Sequence, residues 1–285
     1  RRRLGAATRF PLSVAAAGPW ASRPVITGHC RGRVLVVGRR GAAPLRDERG
    51  WAFGDGPGFS TDPINGFDFL AQAYRATDPA FDGRVTVPGL WDKETRRIVN
   101  NSEDDICRMF NDVFAGFGTP LSDLFPTDVA AEQAALSQHI YERINNGVYR
   151  AGFSTRQRSY EHACAGVFAA LDEMETRLET SRYLFGNRIV ESDWRLFCTL
   201  VRFDAVYHGH FKCNLRRIVD YPSLQGYLKD LYQQPGIAAT VNIEHIKRHY
   251  YMTHDAINPT RIVPLGPILD LTTPHGREKL SNQEP

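Results

Sequence analysis

The spacing of apolar residues changes partway along this chain, and the change separates two kinds of structure. Up to about Gly116 the apolar runs are short. Val34-Leu35-Val36-Val37 is a brief, mostly β-branched run of the kind buried in a sheet. Gly54 to Gly66, rich in Gly, Pro, Asp and Ser, reads as loop, and Gly66 to Ala76 carries a helical pattern. Arg84 to Trp91 reads as strand, turn, strand, with Ile98-Val99 closing the hairpin. Asn101 or Ser102 is placed to cap a helix running to Phe114, and Asp104 and Asp105 suit the positive end of its dipole.

Beyond a loop holding Pro120 and Pro126, the spacing becomes helical and stays so. Segments Ala130–Asn145, Thr155–Glu179, Ser192–Tyr207, Ser223–Gln233 and Ile237–Tyr250 are predicted helices. In the second of these, Ala163, Val167, Ala170, Leu171, Met174 and Leu178 recur on one face, which is therefore core. The Pro-rich tail from Asn258 is expected to wrap the surface or to hang free. The expected fold is α+β, with an α/β domain over 1–117, a boundary near 116–128, and an all-helical domain with its tail over 128–285.

Composition narrows the function classes. With 42% hydrophobic and 24% charged residues the chain is an ordinary globular protein, and a net charge of +3 is too small for a nucleic-acid surface. Only five of the 35 basic residues are lysine, a bias that reads as GC-rich coding. The five cysteines, Cys30, Cys107, Cys164, Cys198 and Cys213, form no C-x-x-C pair and are expected to be reduced and mostly buried. Arg1-Arg2-Arg3 followed by Phe10 to Ala17 imitates a signal peptide, but Pro11 and Ser13 break the apolar stretch. No run nears the roughly 18 apolar residues of a membrane helix, so the expectation is a soluble cytoplasmic protein without a membrane or nucleic-acid partner.

Several longer runs carry a specific resemblance. They are Val87-Pro88-Gly89-Leu90-Trp91-Asp92-Lys93, Ile98-Val99-Asn100-Asn101, Asn146-Gly147-Val148-Tyr149-Arg150-Ala151-Gly152-Phe153 and Asp193-Trp194-Arg195-Leu196-Phe197. Arg202-Phe203-Asp204, Gly209-His210-Phe211-Lys212-Cys213-Asn214 and Ile246-Lys247-Arg248-His249-Tyr250-Tyr251 extend the match. Together, from about residue 9 to 267, the chain resembles the glutathionyl-hydroquinone reductases, the Xi class of glutathione transferases. The resemblance implies a glutathione-transferase fold, with a thioredoxin-like domain before an all-α one, and a homodimer.

It also implies a thiol site. Val87-Pro88 matches the cis-proline that exposes the backbone of the residue before it to a peptide thiol. Trp51 matches a tryptophan lining the glutathione site. The family's nucleophile motif, Cys-Pro-Trp-Ala-His-Arg at a helix start, corresponds here to Gly18-Pro19-Trp20-Ala21-Ser22-Arg23. A helix N-terminus lowers a thiol pKa, and glycine has no thiol to lower. Cys30, about three turns along the same helix, is too far to stand in. After Asn100-Asn101 the family has Glu-Ser, and this chain has Ser102-Glu103, the same pair reversed. Glutathione or another low-molecular-weight thiol is therefore a candidate ligand, and the same two residues also fit a plain cap and a helix-end charge.

The acceptor end matches through Tyr149, Tyr207 and Tyr250, with Tyr251 as the alternative to the last. Phenols can stack beside a quinoid ring and donate to its oxygen or act as general acids, which makes Tyr149, Tyr207 and Tyr250 the candidate catalytic residues. Interior packing is the other reading of all three. His245 with His249, and His208 with His210, lack a third ligand, so no metal is expected and structural hydrogen bonding is. Glu191-Ser192-Asp193 resembles a helix-start box with Val190 in place of its Ser or Thr, a structural feature.

Three readings of function stay open. The first, favoured, is an enzyme acting on a quinone-like or polyphenolic molecule without thiol exchange, in a specialised role such as secondary metabolism. The second is a glutathionyl-hydroquinone reductase or glutathione S-transferase proper. The third is a non-catalytic ligand-binding protein.

Overall fold

A computed structural model describes residues 9–15, 17–32, 39–113 and 123–282 of the 285-residue chain. The chain separates into two compact units, one comprising Arg1–Asp123 and Thr240–Thr253, the other Leu124–Ala239 and His254–Pro285.

The first unit is built on strands β1 (Leu12–Val14), β2 (Arg39–Gly41), β5 (Gly89–Asp92) and β6 (Arg97–Asn100) in the order β2-β1-β5-β6. β1 runs parallel to β2 and antiparallel to β5, and β5 and β6 form a hairpin. Period-two alternation sends neighbouring side chains to opposite faces. Leu12, Val14 and Leu90 therefore join Ala21, Ile106 and Phe110 from helices α1 (Pro19–Cys30) and α3 (Glu103–Asn111) on one side. Trp91 faces the other way, onto Trp51, Phe53 and, from helix α2 (Leu70–Thr77), Leu70, Ala73 and Tyr74. A separate ribbon pairs β3 (Arg46–Asp47) with β4 (Gly50–Trp51).

The expected strand at 34–37 lies outside the described residues; the helix expected to reach Phe114 ends at Asn111, with Asp112 as its C-cap donating its N–H to the Arg108 carbonyl. The strand–turn–strand expected over 84–91 is a single strand from Gly89, because Pro88 has no N–H to give a ladder. The helix expected from Gly66 starts at Leu70. Gly66 is left-handed at φ 68°, and the Gln72 side chain accepts from the N–H of Asp68 and Phe69, fixing the start there.

The second unit is helical: α4 (Ala130–Ile140), α5 (Asn146–Gly152), α6 (Gln157–Glu179), α7 (Glu191–Arg202) and α8 (Pro222–Tyr232). A wide π turn, Tyr141–Asn145, joins α4 to α5, and another, Phe203–Tyr207, extends α7. On α6 the predicted face is core, with Val167, Ala170, Leu171, Met174 and Leu178 buried and Ala163 half-buried. Asp193 carries the α7 start: its carboxylate accepts from the N–H of Val190 (2.8 Å) and Leu184 (3.0 Å) and from the Tyr227 hydroxyl (2.8 Å). Val190 has no acceptor to return the bond.

The tail is docked within this unit. The Arg277 guanidinium, 5% exposed, donates to the carbonyls of Leu178, Ser181, Arg182 and Ser223.

The helix expected over 237–250 begins later, as α9 (Ile243–Thr253). Gly236 is left-handed at φ 78°, Ala238–Thr240 form a 3₁₀ turn, and the Asn242 side chain accepts from the His245 N–H at 3.0 Å. The division expected from the sequence places this helix with the helical half. Its side chains bind it to the α/β unit instead, through His245 Nε2 on the Pro57 carbonyl and His249 Nδ1 on the Pro44 carbonyl.

Candidate functional site

Gly18 is the N-cap of α1, in extended backbone at φ −83° and ψ 142°, with Pro19 as the first helical residue. A Cβ built on Gly18 would meet nothing within 4 Å. That φ suits any L-residue, so glycine is not required here by the backbone. Ser22 donates its hydroxyl to the Gly18 carbonyl at 3.0 Å. Trp20 is half-buried beside it. Arg23 is buried and reaches α3, donating to Asp104 at 2.6 Å and standing 3.7 Å from the Glu103 carboxylate.

Ser102 acts as the N-cap of α3. Its hydroxyl accepts from the Asp105 N–H at 3.2 Å, and its own N–H donates to Asn100 Oδ1 at 2.8 Å. The Val87–Pro88 peptide is cis. Among the described residues, neither main-chain group of Val87 makes an intramolecular hydrogen bond. An exposed main-chain pair of this kind is what a peptide ligand can take up by strand addition.

Trp51 is buried at the end of β4, and its indole stacks on the His249 imidazole with ring centres 5.1 Å apart. The Tyr250 ring meets His249 edge-on at 5.3 Å. The first unit thus links two sequence candidates, Trp51 and Tyr250, through His249.

Tyr149 and Tyr207 belong to the second unit, with ring centres 6.0 Å apart. Phe211 packs against both, at 5.3 Å and 5.4 Å, and Phe153 continues the row from Tyr149. A side chain at Gly152 would strike the Phe211 ring, so glycine there permits the close approach. The row ends at His254, which stacks on His210, their nitrogens 3.2 Å apart. Tyr250 and Tyr251 belong to the first unit. Phe153 and Phe211 were not candidates from sequence; an aromatic at each end of the Tyr149–Tyr207 pair was the available signal.

No cysteine occupies the helix start. Cys107, Cys164, Cys198 and Cys213 are buried, and the thiol of Cys30, the last residue of α1, is pushed up to about 12 by desolvation.

Comparison with known proteins gives the class first. Residues 157–230 match the model of the glutathione S-transferase C-terminal domain, and the chain has the glutathione-transferase fold. It superposes with a TM-score of 0.93 on the glutathione-bound structure of YqjG, a glutathione transferase homolog from Escherichia coli K-12, at 46% identity, covering 94% of this chain and 88% of that one. A Xi-class transferase from Natrialba magadii gives a TM-score of 0.94 at 44% identity, over 96% of this chain and 86% of that one. In sequence, the chain is 46% identical to the glutathionyl-hydroquinone reductase YqjG of E. coli, over 95% of itself and 83% of YqjG. It is 44% identical to the glutathionyl-hydroquinone reductase PcpF of Sphingobium chlorophenolicum, over 91% and 83%. The chain belongs to the Xi-class glutathione transferases, the glutathionyl-hydroquinone reductase family.

Proposed function

We propose that this Xi-class homologue lacks the family's catalytic cysteine and acts on a quinone-like or polyphenolic small molecule by chemistry other than thiol exchange through a protein sulfur. The observation that carries this reading is Gly18. It caps a helix whose first-turn N–H groups favour an anion, it leaves open space where a side chain would stand, and none of the five cysteines is an exposed, easily ionised thiol.

The residues present fit an external thiol such as glutathione. Val87 offers its uncommitted main-chain pair, the α1 start offers a place where a thiolate is favoured over a thiol, and Trp51 offers an apolar wall. The glutathione-bound relative supports this assignment. Ser102 and Glu103 stand at the start of α3, although both also have the structural work described above.

Thiol addition to a quinone is the step these parts support best, ahead of isomerisation or ring rearrangement. A carbon–sulfur bond forms at a ring carbon while a phenol of Tyr149, Tyr207 or Tyr250 donates to the quinone oxygen. The S–H proton ends on that oxygen, the hydrogen of the attacked ring carbon then moves to the second quinone oxygen, and the product is a hydroquinone thioether. No external oxidant or reductant is consumed. Tyr149, Tyr207, Tyr250 and Tyr251 are assigned to the acceptor pocket by their match to the family.

The protein is read as a cytoplasmic homodimer; among the described residues no helix is long and apolar enough to cross a membrane. The test is to incubate the purified protein with glutathione and a panel of benzoquinones and naphthoquinones, following quinone absorbance and product mass. Conversion that falls at least tenfold in Tyr149→Phe supports the proposal. Failure to bind or convert any of them rejects it.

A second reading, reductase proper, draws on the 46% identity to YqjG. Turnover of a glutathionyl-hydroquinone to free hydroquinone by the native chain would replace the first reading with it. Ligand affinity with no turnover would leave the third, a binding protein.

A further inference from the structure

Beside Tyr149 the helical unit holds a cleft of about 950 Å³, a size suited to a small organic ligand. Its aromatic part is Tyr149 and Phe153, nearly parallel with ring centres 6.4 Å apart, and Phe153 is 49% exposed, unusual for so large an apolar side chain. Its charged part is one-sided. The ionisable side chains lining the cleft, apart from Tyr149, are Arg150, Arg156, Arg158 and His162, and no carboxylate lines it.

Pairing sharpens the contrast. In the same unit Arg177, Arg182, Arg188, Arg216 and Arg217 each lie against a carboxylate. Arg150 is turned onto the Glu142 carbonyl. Among the described residues Arg156 and Arg158 make neither an ion pair nor a side-chain hydrogen bond. From Asn146 to Tyr160 the sequence holds three arginines and no acidic residue. α6 begins in this stretch with no acidic residue in its first turn and no side-chain cap, so its dipole adds to the same sign of potential.

We propose that this cleft takes an aromatic ligand bearing an anionic group, a carboxylate or sulfonate, with the ring on Tyr149 and Phe153 and the anion between Arg156 and Arg158. A guanidinium fork matches a carboxylate in two parallel hydrogen bonds, and a flat ring beside it suits the exposed Phe153 face. The inference deepens the proposed function, since it rests on Tyr149 belonging to the acceptor pocket and names the substrate class as an acidic aromatic rather than a neutral quinone.

The test is a matched trio of ligands with one ring: naphthalene-2-carboxylate, 2-naphthylmethanol and 2-naphthylmethylamine, titrated calorimetrically into the full chain. The carboxylate is expected to bind at least about fivefold more tightly than the alcohol, and the amine most weakly, with the preference falling in 0.5 M salt to about twofold or less as screening predicts. In Arg156→Gln/Arg158→Gln the carboxylate loses its advantage while the alcohol binds as before; both side chains are exposed, so folding is not at stake. Phe153→Ala weakens all three ligands. Equal affinity for carboxylate and alcohol, or a preference that survives the double substitution, overturns the proposal. So does a change of oligomeric state in the double variant, measured by light scattering, because the cleft would then be a contact between copies. Binding is read without turnover. A carboxylate preference with no quinone conversion rejects the proposed function alone, and conversion without the preference rejects this inference alone.

Discussion

The His249 imidazole stacks on the Trp51 indole at 5.1 Å and 23°, while its Nδ1 meets the Pro44 carbonyl at 2.9 Å. One side chain thus fastens α9 to the β3–β4 ribbon by a ring face and a hydrogen bond together. Replacing it with alanine removes both and is expected to cost about 2 kcal/mol, whereas His249→Phe keeps the stack and costs about 1 kcal/mol. Urea denaturation of the two variants, followed by tryptophan fluorescence, checks the order. An alanine variant as stable as the native chain would mean the stack contributes nothing.

Gly18 has room for a side chain and a φ open to L-residues, so Gly18→Cys should fold without loss. The new thiol would sit at a helix N-terminus, where its pKa drops well below the ordinary value near 8.5. Alkylation by iodoacetamide at pH 6 is expected to label one site rapidly in the variant. The native protein should resist, with four cysteines buried and Cys30 pushed up to about 12. Release of hydroquinone from a glutathionyl-hydroquinone should appear in the variant. A sixth thiol no more reactive than the rest would show that this helix start does not activate sulfur.

Asp193 is fully buried, and desolvation raises its carboxyl to about 6 despite the donors from Leu184, Val190 and Tyr227. The folded state therefore holds this proton more tightly than the unfolded chain. The stabilising contribution is complete below about pH 4 and is lost as pH rises through about 6, an amount on the order of 3 kcal/mol. Asp92 works in the opposite sense: Arg9 holds its carboxyl well below the usual range, and that contribution is lost only in strong acid. Stability measured from pH 4.5 to 7 should fall less steeply in Asp193→Asn than in the native chain. The variant should also be weaker by about 2 kcal/mol near neutrality, because its amide faces two N–H donors. An unchanged slope would assign the pH dependence elsewhere.

Arg277 is the anchor of the tail, its guanidinium donating to carbonyls at the end of α6, in the turn at 181–182 and in the first turn of α8. Arg277→Ala removes the donor from the Leu178, Ser181 and Arg182 carbonyls and is expected to cost about 2–4 kcal/mol. Limited proteolysis should then cut within 258–276 at sites protected in the native protein. Equal protection in both would show that other contacts suffice, such as those of Gln233 with the Leu271 and Thr273 carbonyls.

Much of this protein could be read from its sequence. The apolar face of α6, the cap at Ser102 and the family itself follow from local spacing and contiguous motifs, which depend on residues close in the chain. So does the glycine at position 18, since an absent thiol is a fact of covalent structure. Tertiary structure decided what distance in sequence conceals. The bond from His249 to the Pro44 carbonyl spans 205 positions, and no periodicity reports it. It moved α9 from the helical half to the α/β unit and joined Tyr250 to Trp51. Likewise, Arg156 and Arg158 became informative only once folding had paired so many other arginines with carboxylates and left these two beside an open aromatic cleft. Charge in a sequence is a count; whether it is neutralised depends on which side chains the fold brings together.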